Sequence, residues 1–264
     1  MKYFALLLAL TIALSVTPSY AQIQITLAYQ DSDNFPYQIG DNLEINTESP
    51  GVAVEMMRFV SKKLNLNFQF IRLPWKRGLV TLQSGEIDGL FNASYKESRL
   101  EFGVYPIIEG ALDRTKRSYT NTYSLFKSKT SKISWDGDNF DQSYYPLYAP
   151  LGFSIVENLE KKGLAVMETS NILQALSVVN LGRSDGIALH TSAGEAYLRN
   201  FPKKFSNIEK LDPPLATKDY YLMLSHLFVK QQPELAKLIW ASIEEYRESS
   251  MFKKIIDEYY NRKY

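Results

Sequence analysis

Apolar and polar positions alternate with two different periods along the chain. From Ile23 to Tyr29 the period is two, with Ile23, Ile25 and Leu27 set between polar residues, which predicts a strand. From Val52 to Leu64 the spacing lengthens to four. Val52, Met56, Val60 and Leu64 then share one face of a helix that starts after Gly51. Phe68 to Leu73 reads as a second strand, broken by Pro74. Lys76 to Gln83 follows as a short helix closed by Ser84-Gly85, a glycine C-cap. Ile87 to Phe91 is a short buried strand. Strands separated by helical crossovers pair in parallel. The loops after the three strands (Gln30 to Tyr37, Pro74 to Arg77, Asn92 to Arg99) should then converge on one crevice at the carboxyl edge of the sheet.

The plan restarts near Ser118. Tyr119 to Lys127 is a strand candidate, and Lys129 to Tyr145 is a polar stretch without period. Strands are then predicted at Pro146 to Ala149, Ala165 to Met167 and Gly186 to Ala188. Helices are predicted at Phe153 to Lys161, at Ile172 to Asn180 and after His190-Thr191-Ser192. A strand-like run from Tyr220 to Val229 precedes helical sequence from Pro233 to Tyr264. The expected architecture is α/β with two lobes, 22–117 plus 218–264 and 118–217. Two crossing strands, near Tyr119 to Ser124 and Thr217 to Tyr221, would form the hinge.

Residues Met1 to Ala21 stand apart. Lys2, the apolar run Phe4 to Val16 and the small-x-small Ser19-Tyr20-Ala21 have the form of a signal peptide cleaved after Ala21. The run is shorter than the about 20 apolar residues that span a bilayer. The expected location is the periplasm, where a chain without cysteine folds on its hydrophobic core. Thirty basic against 29 acidic residues give no field to attract nucleic acid or anionic lipid. No cofactor loop, metal cluster or nucleophile–base pair stands out.

The chemistry concentrates between Pro74 and Arg99, PWKRGLVTLQSGEIDGLFNASYKESR. This segment brings an indole, an amide, hydroxyls and a guanidinium to one sheet edge, which is equipment for holding a small anion. Arg99 offers a planar fork matched to a carboxylate; the alternative is a surface arginine paired with Glu97 or Glu101. Trp75 is either a ligand platform or core. Asn92 and Ser94 either face a ligand or cap the next helix. Ser154 opens a helix, where a hydroxyl and backbone N–H groups suit an anion. Arg77 either serves a second carboxylate or pairs with Glu86 or Asp88.

These residues resemble the periplasmic solute-binding proteins of the amino-acid type, family 3, along essentially the whole mature chain. Leu82-Gln83-Ser84-Gly85-Glu86-Ile87-Asp88 is similar to the family's L-x-x-G-x-x-D, and Ser98 to Phe102 to its arginine segment. Asp31 to Tyr37 resembles its first ligand loop, Gly51 to Glu55 its first helix start, and Gly182 to Gly186 the second-lobe G-x-x-D turn. The resemblance implies a two-lobe periplasmic binding protein of type II with two hinge crossovers. It implies that Arg99 pairs with a ligand carboxylate, that Trp75, Asn92 and Ser94 line the site, and that Asp31 and Tyr37 belong to its ligand loop. Where the family places an aspartate for the ligand's α-ammonium, this chain has His190, which accepts a hydrogen bond but carries no formal charge. The expected function is capture of a small carboxylate-bearing, amino-acid-like solute by a monomer, for a membrane permease or sensor. The alternative is a dehydratase-like enzyme on the same fold, acting on a prephenate- or arogenate-type substrate with Glu55, Asp31 or His190 as general acid.

Overall fold

The computed structural model describes residues 23–261; the expected export segment lies outside them. The first unit runs β1 (Gln24–Gln30), α1 (Val52–Lys63), β2 (Asn67–Leu73), α2 (Trp75–Ser84), β3 (Gly89–Ser94). The second begins with β4 (Tyr119–Ser128) and β5 (Leu147–Pro150). It continues through α3 (Ser154–Lys161), β6 (Val166–Thr169), α4 (Ile172–Asn180), β7 (Gly186–His190), α5 (Thr191–Asn200) and β8 (Ile208–Lys210). The chain returns through β9 (Ala216–Leu224) to α6 (His226–Gln231), α7 (Pro233–Glu248) and α8 (Ser250–Asn261).

The strands join edge to edge in the order β6-β5-β7-β4-β9-β3-β1-β2, with β8 on β4. β1 pairs in parallel with β2 and β3, and β5 in parallel with β6 and β7. Between these two parallel halves lie β4 and β9, antiparallel to each other, with Tyr119 opposite Tyr220 and Tyr123 opposite Ala216. The fold is thus two α/β lobes joined through two crossing strands. In the first lobe α1, α7 and α8 bury Met56, Val60, Ile239, Ile243 and Tyr259 on one sheet face, and α2 buries Leu79 and Leu82 on the other. In the second, Leu176, Val179 and Ile187 form one cluster and Leu147, Ile155 and Leu159 another.

Local chemistry fixes the elements that aim the site. Gly51 has φ 109°, and a Cβ there would lie 2.5 Å from the Gln38 Cα, so only glycine lets α1 start against the first loop. In the L-x-x-G-x-x-D run Leu82 is fully buried and Gly85 ends α2 in the left-handed region. The Asp88 carboxylate then accepts from the Thr26 backbone N–H at 2.7 Å. The second-lobe counterpart, Asp185, accepts from the backbone N–H groups of Tyr144 and Tyr145. Both motif aspartates therefore tether loops to the lobe.

Three expectations change. The run Tyr220 to Val229 is not one strand: β9 ends at Leu224, and Ser225 caps α6 by accepting from the Phe228 N–H at 3.0 Å. The tail is two helices, broken at Ser249, whose backbone is extended. The polar stretch after Lys129 contains a small hairpin that pairs Ser134–Trp135 with Phe140–Asp141.

Candidate functional site

The carboxyl end of β3 supplies the centre of the site. Between Tyr221 and Met223 the β3–β9 register slips, and opposite the slip Asn92 sits in the left-handed region with φ 64°. Asparagine tolerates that conformation, and such irregularities re-aim side chains. The Asn92 amide donates to Gln38 Oε1 at 2.6 Å, while its Oδ1 is buried without a partner among the described residues. Two residues on, Ser94 meets Arg99 where the chain turns back. The Arg99 guanidinium donates to the Ser94 carbonyl at 2.7 Å and to its hydroxyl at 3.0 Å, and Tyr105 donates to the same carbonyl at 2.7 Å.

Arg99 is buried, 5% exposed, and makes no ion pair among the described residues. Its guanidinium lies over the Trp75 indole, 4.9 Å from the ring centroid, a cation–π arrangement. Trp75 is the first residue of α2; its Nε1 is also buried with no partner among the described residues.

The second lobe meets this cluster directly. Gly152, at φ 74°, turns the chain after β5 so that its carbonyl accepts from Arg99 at 3.2 Å. Ser154 opens α3 and is buried; its hydroxyl accepts from Ser94 at 2.9 Å and from the Lys218 ammonium at 2.9 Å. Lys218, on β9, also donates to the Ser154 carbonyl at 3.1 Å and to Asn158 at 2.9 Å. Burial, reinforced by Arg99 and Lys96, lowers its pKa to about 8. At the end of β7, His190 is buried between Asn34, 2.7 Å from Nδ1, and the Tyr220 hydroxyl on Nε2. Burial foremost, then Lys218, holds its pKa down at about 3, so the ring is neutral at physiological pH.

The pocket is lined by Gln30 at the end of β1, by Asn34 and Gln38 from the first loop, by Trp75, Asn92, Ser94, Arg99, Ser154 and His190, and by Tyr123, Phe153 and Tyr220. No carboxylate of the described residues lines it. The lobes are closed on one another, leaving about 20 Å³ there, room for about one water. Outside, past Gln30 and Trp75, the cleft opens to about 690 Å³ between Asp31, Asp41, Lys76 and the Thr169–Asn171 turn. Among the described residues no group of three or more His, Asp or Glu gathers as a metal site, and no helix is long and apolar enough to cross a membrane.

Residues 28–262 match the model for bacterial extracellular solute-binding proteins, family 3. The chain belongs to that family. Among solved structures it is similar to a histidine kinase sensor domain that resembles periplasmic binding proteins (17% identity, 91% of this chain and 97% of that one, TM-score 0.71). It is also similar to the arginine-, lysine-, histidine-binding protein ArtJ from Geobacillus stearothermophilus (14%, 91% and 96%, TM-score 0.70). A third is the substrate-binding protein of an amino acid ABC transporter (15%, 90% and 100%, TM-score 0.67). At these identities the likeness is one of fold. No curated protein matches the sequence.

In this family 3 protein, six of the nine residues singled out from sequence come together: Arg99, Trp75, Asn92, Ser94, Ser154 and His190. Arg99 does not pair with Glu97 or Glu101, and Asn92 is engaged by Gln38. Three residues lie elsewhere. Asp31 stands at the outer cleft. Tyr37 is turned inward, stacked on Tyr119 at 3.5 Å, with its hydroxyl donating to the Thr120 carbonyl. Arg77 is exposed on α2 and pairs with neither Glu86 nor Asp88. The sequence reading missed Lys218, Tyr123, Tyr220, Gln30, Asn34, Gln38 and Phe153. Arg72 also escaped it: buried on β2, it donates to the carbonyls of Gln30 and Ile39 and thereby shapes the first loop.

Proposed function

We propose that the chain is a periplasmic solute-binding protein that closes on a small carboxylate-bearing solute and presents it to a membrane permease or sensor. Lobe one would comprise 22–117 with 218–264, and lobe two 118–217. The observation that carries this reading is Arg99, a buried guanidinium at the lobe interface that has carbonyl and hydroxyl partners but no carboxylate among the described residues. A buried cation without a counter-charge is costly, and a ligand carboxylate is its natural complement. The Trp75 Nε1, without a partner among the described residues, points the same way, since its N–H can donate to a ligand oxygen. To admit it the lobes part, exchanging the Ser94–Ser154 and Arg99–Gly152 contacts for contacts to the solute. Part of the intrinsic affinity is thereby spent against the closed form.

The dehydratase alternative has less support. Glu55 pairs with Arg58 on α1, Asp31 stands outside the pocket, and His190 holds its proton too weakly to act as a general acid.

The test is a thermal-shift screen of the chain, unfolded and refolded to shed carried-over ligand, against amino acids, dicarboxylates, keto acids and small peptides. A ligand at 100 times its Kd adds about 2.7 kcal/mol, several degrees for a chain of this size. A hit recovered unchanged supports capture; a hit consumed over time supports the enzyme.

A further inference from the structure

The charges around the pocket are one-sided. Arg99 lies within it and Lys218 at its edge, the Lys218 ammonium 5.9 Å from the centroid of the pocket-lining Tyr123 ring. Neither makes an ion pair among the described residues, and no Asp or Glu is part of the wall. Near Lys218, Glu157 is committed to Lys96 and Lys161 and Asp219 to Arg114 and Arg117, while Asp31 and Asp41 stand outside the pocket, at the outer cleft. A solute that carries an α-ammonium would need an anionic acceptor here. The second-lobe position that faces the pocket is instead His190, neutral and held at both ring nitrogens by Asn34 and Tyr220. The remaining acceptors, Asn92 Oδ1 and the hydroxyls, are uncharged. An ammonium would therefore be desolvated beside two cations with no counter-charge, whereas a carboxylate would be drawn by both.

We infer that the solute is a small organic acid without an α-ammonium, a 2-hydroxy, 2-oxo or dicarboxylic acid, and that Lys218 with His190 sets this choice. The inference rests on the carboxylate reading above and narrows it. Lys218 acts partly through Ser154: it fixes the hydroxyl that Ser94 meets across the cleft and adds positive potential where the second oxygen or second carboxylate of the solute would lie.

The experiment is calorimetric titration of the refolded chain with matched probes that share a side chain: glutamate, 2-oxoglutarate and 2-hydroxyglutarate; phenylalanine, phenylpyruvate and phenyllactate; aspartate and succinate. The expected result is that, in the pair that binds, the ammonium-free member binds at least tenfold tighter. Lys218→Met should lose about tenfold for that member and shrink its advantage over the amino acid. His190→Asp should move the preference toward the amino acid, and serves as a second readout should Lys218→Met fold poorly. An amino acid that binds as tightly as its ammonium-free partner overturns this inference and leaves the carboxylate reading intact. Failure of every carboxylate probe removes both.

Discussion

Arg99→Ala separates a binding residue from a structural one, because its cost to folding and its cost to binding differ in size. In the closed protein the guanidinium has three acceptor contacts, yet little is orphaned by its loss. The Ser94 carbonyl keeps the Tyr105 hydroxyl and the Ser94 hydroxyl keeps Ser154. Only the Gly152 carbonyl loses its donor from this cluster. The cation–π contact with Trp75 is worth about 2 kcal/mol when desolvated. Removal of an unpaired buried charge offsets part of that. The expected fall in stability is about 1 kcal/mol, or ~2–4 °C in Tm.

Binding should suffer more. Truncation of one partner of a buried charge pair costs about 2–5 kcal/mol, which at about 1.4 kcal/mol per decade is roughly 25- to 4,000-fold in Kd. Calorimetry with the tightest carboxylate from the screen, run beside a melting curve of each protein, reads both quantities. Arg99→Lys keeps the charge without the fork and should fall between. An Arg99→Ala protein that melts within a few degrees of the parent and binds within threefold of it would refute the reasoning.

Other perturbations should be equally legible. Gly152→Ala forces a Cβ to 3.1 Å from Trp75 at a φ of 74°; about 1–3 kcal/mol of strain should follow, read as a lower Tm and weaker binding through impaired closure. Ser154→Ala removes the hydroxyl shared by Ser94 and Lys218 and should weaken carboxylate binding by about 1–3 kcal/mol, measured by calorimetry. His190 takes up a proton near 6.5 in the unfolded chain but only near 3 when folded. Stability should therefore fall as pH drops from 6.5 toward 3, by at most about 1.4 kcal/mol per pH unit from this group, and His190→Asn should flatten that slope in urea melts. Lys218 loses its proton near pH 8 in the ligand-free protein, so carboxylate affinity should decline as pH rises through 8, and Lys218→Met should abolish the decline.

Sequence periodicity located the elements best where the apolar face was long, as in α1, and worst where a mostly apolar run carried no period. Tyr220 to Val229 carries no period that separates strand from helix; the hydroxyl of Ser225, a helix cap, was the one local signal that α6 begins there. In the site, residues at strand ends were readable because strand termini share one edge: Asn92, Ser94 and His190 all lie there. Arg77 was not, since two positions beyond Trp75 a helix turns about 200° and faces solvent. Tyr37 lies off the pocket because the course of the first loop is set from outside it, by Arg72 on β2 and by the stacking face of Tyr119. Lys218 escaped notice because its partners, Ser154 and Asn158, sit on α3, about sixty residues away in sequence. Contacts of that range leave no local pattern.

The central claim is capture by closure, and a distance across the cleft tests it most directly. The chain has no cysteine, so Leu43→Cys and Ser170→Cys can carry spin labels without background. Leu43 is an exposed residue near Asp41, and Ser170 lies on the opposite wall of the outer cleft. Dipolar spectroscopy on the refolded double variant should show a population with longer distances that contracts when a binding carboxylate is added. Arg99→Ala in the same background should leave the distribution unchanged at that concentration. A carboxylate that binds by calorimetry and leaves the distances where they were would contradict the account.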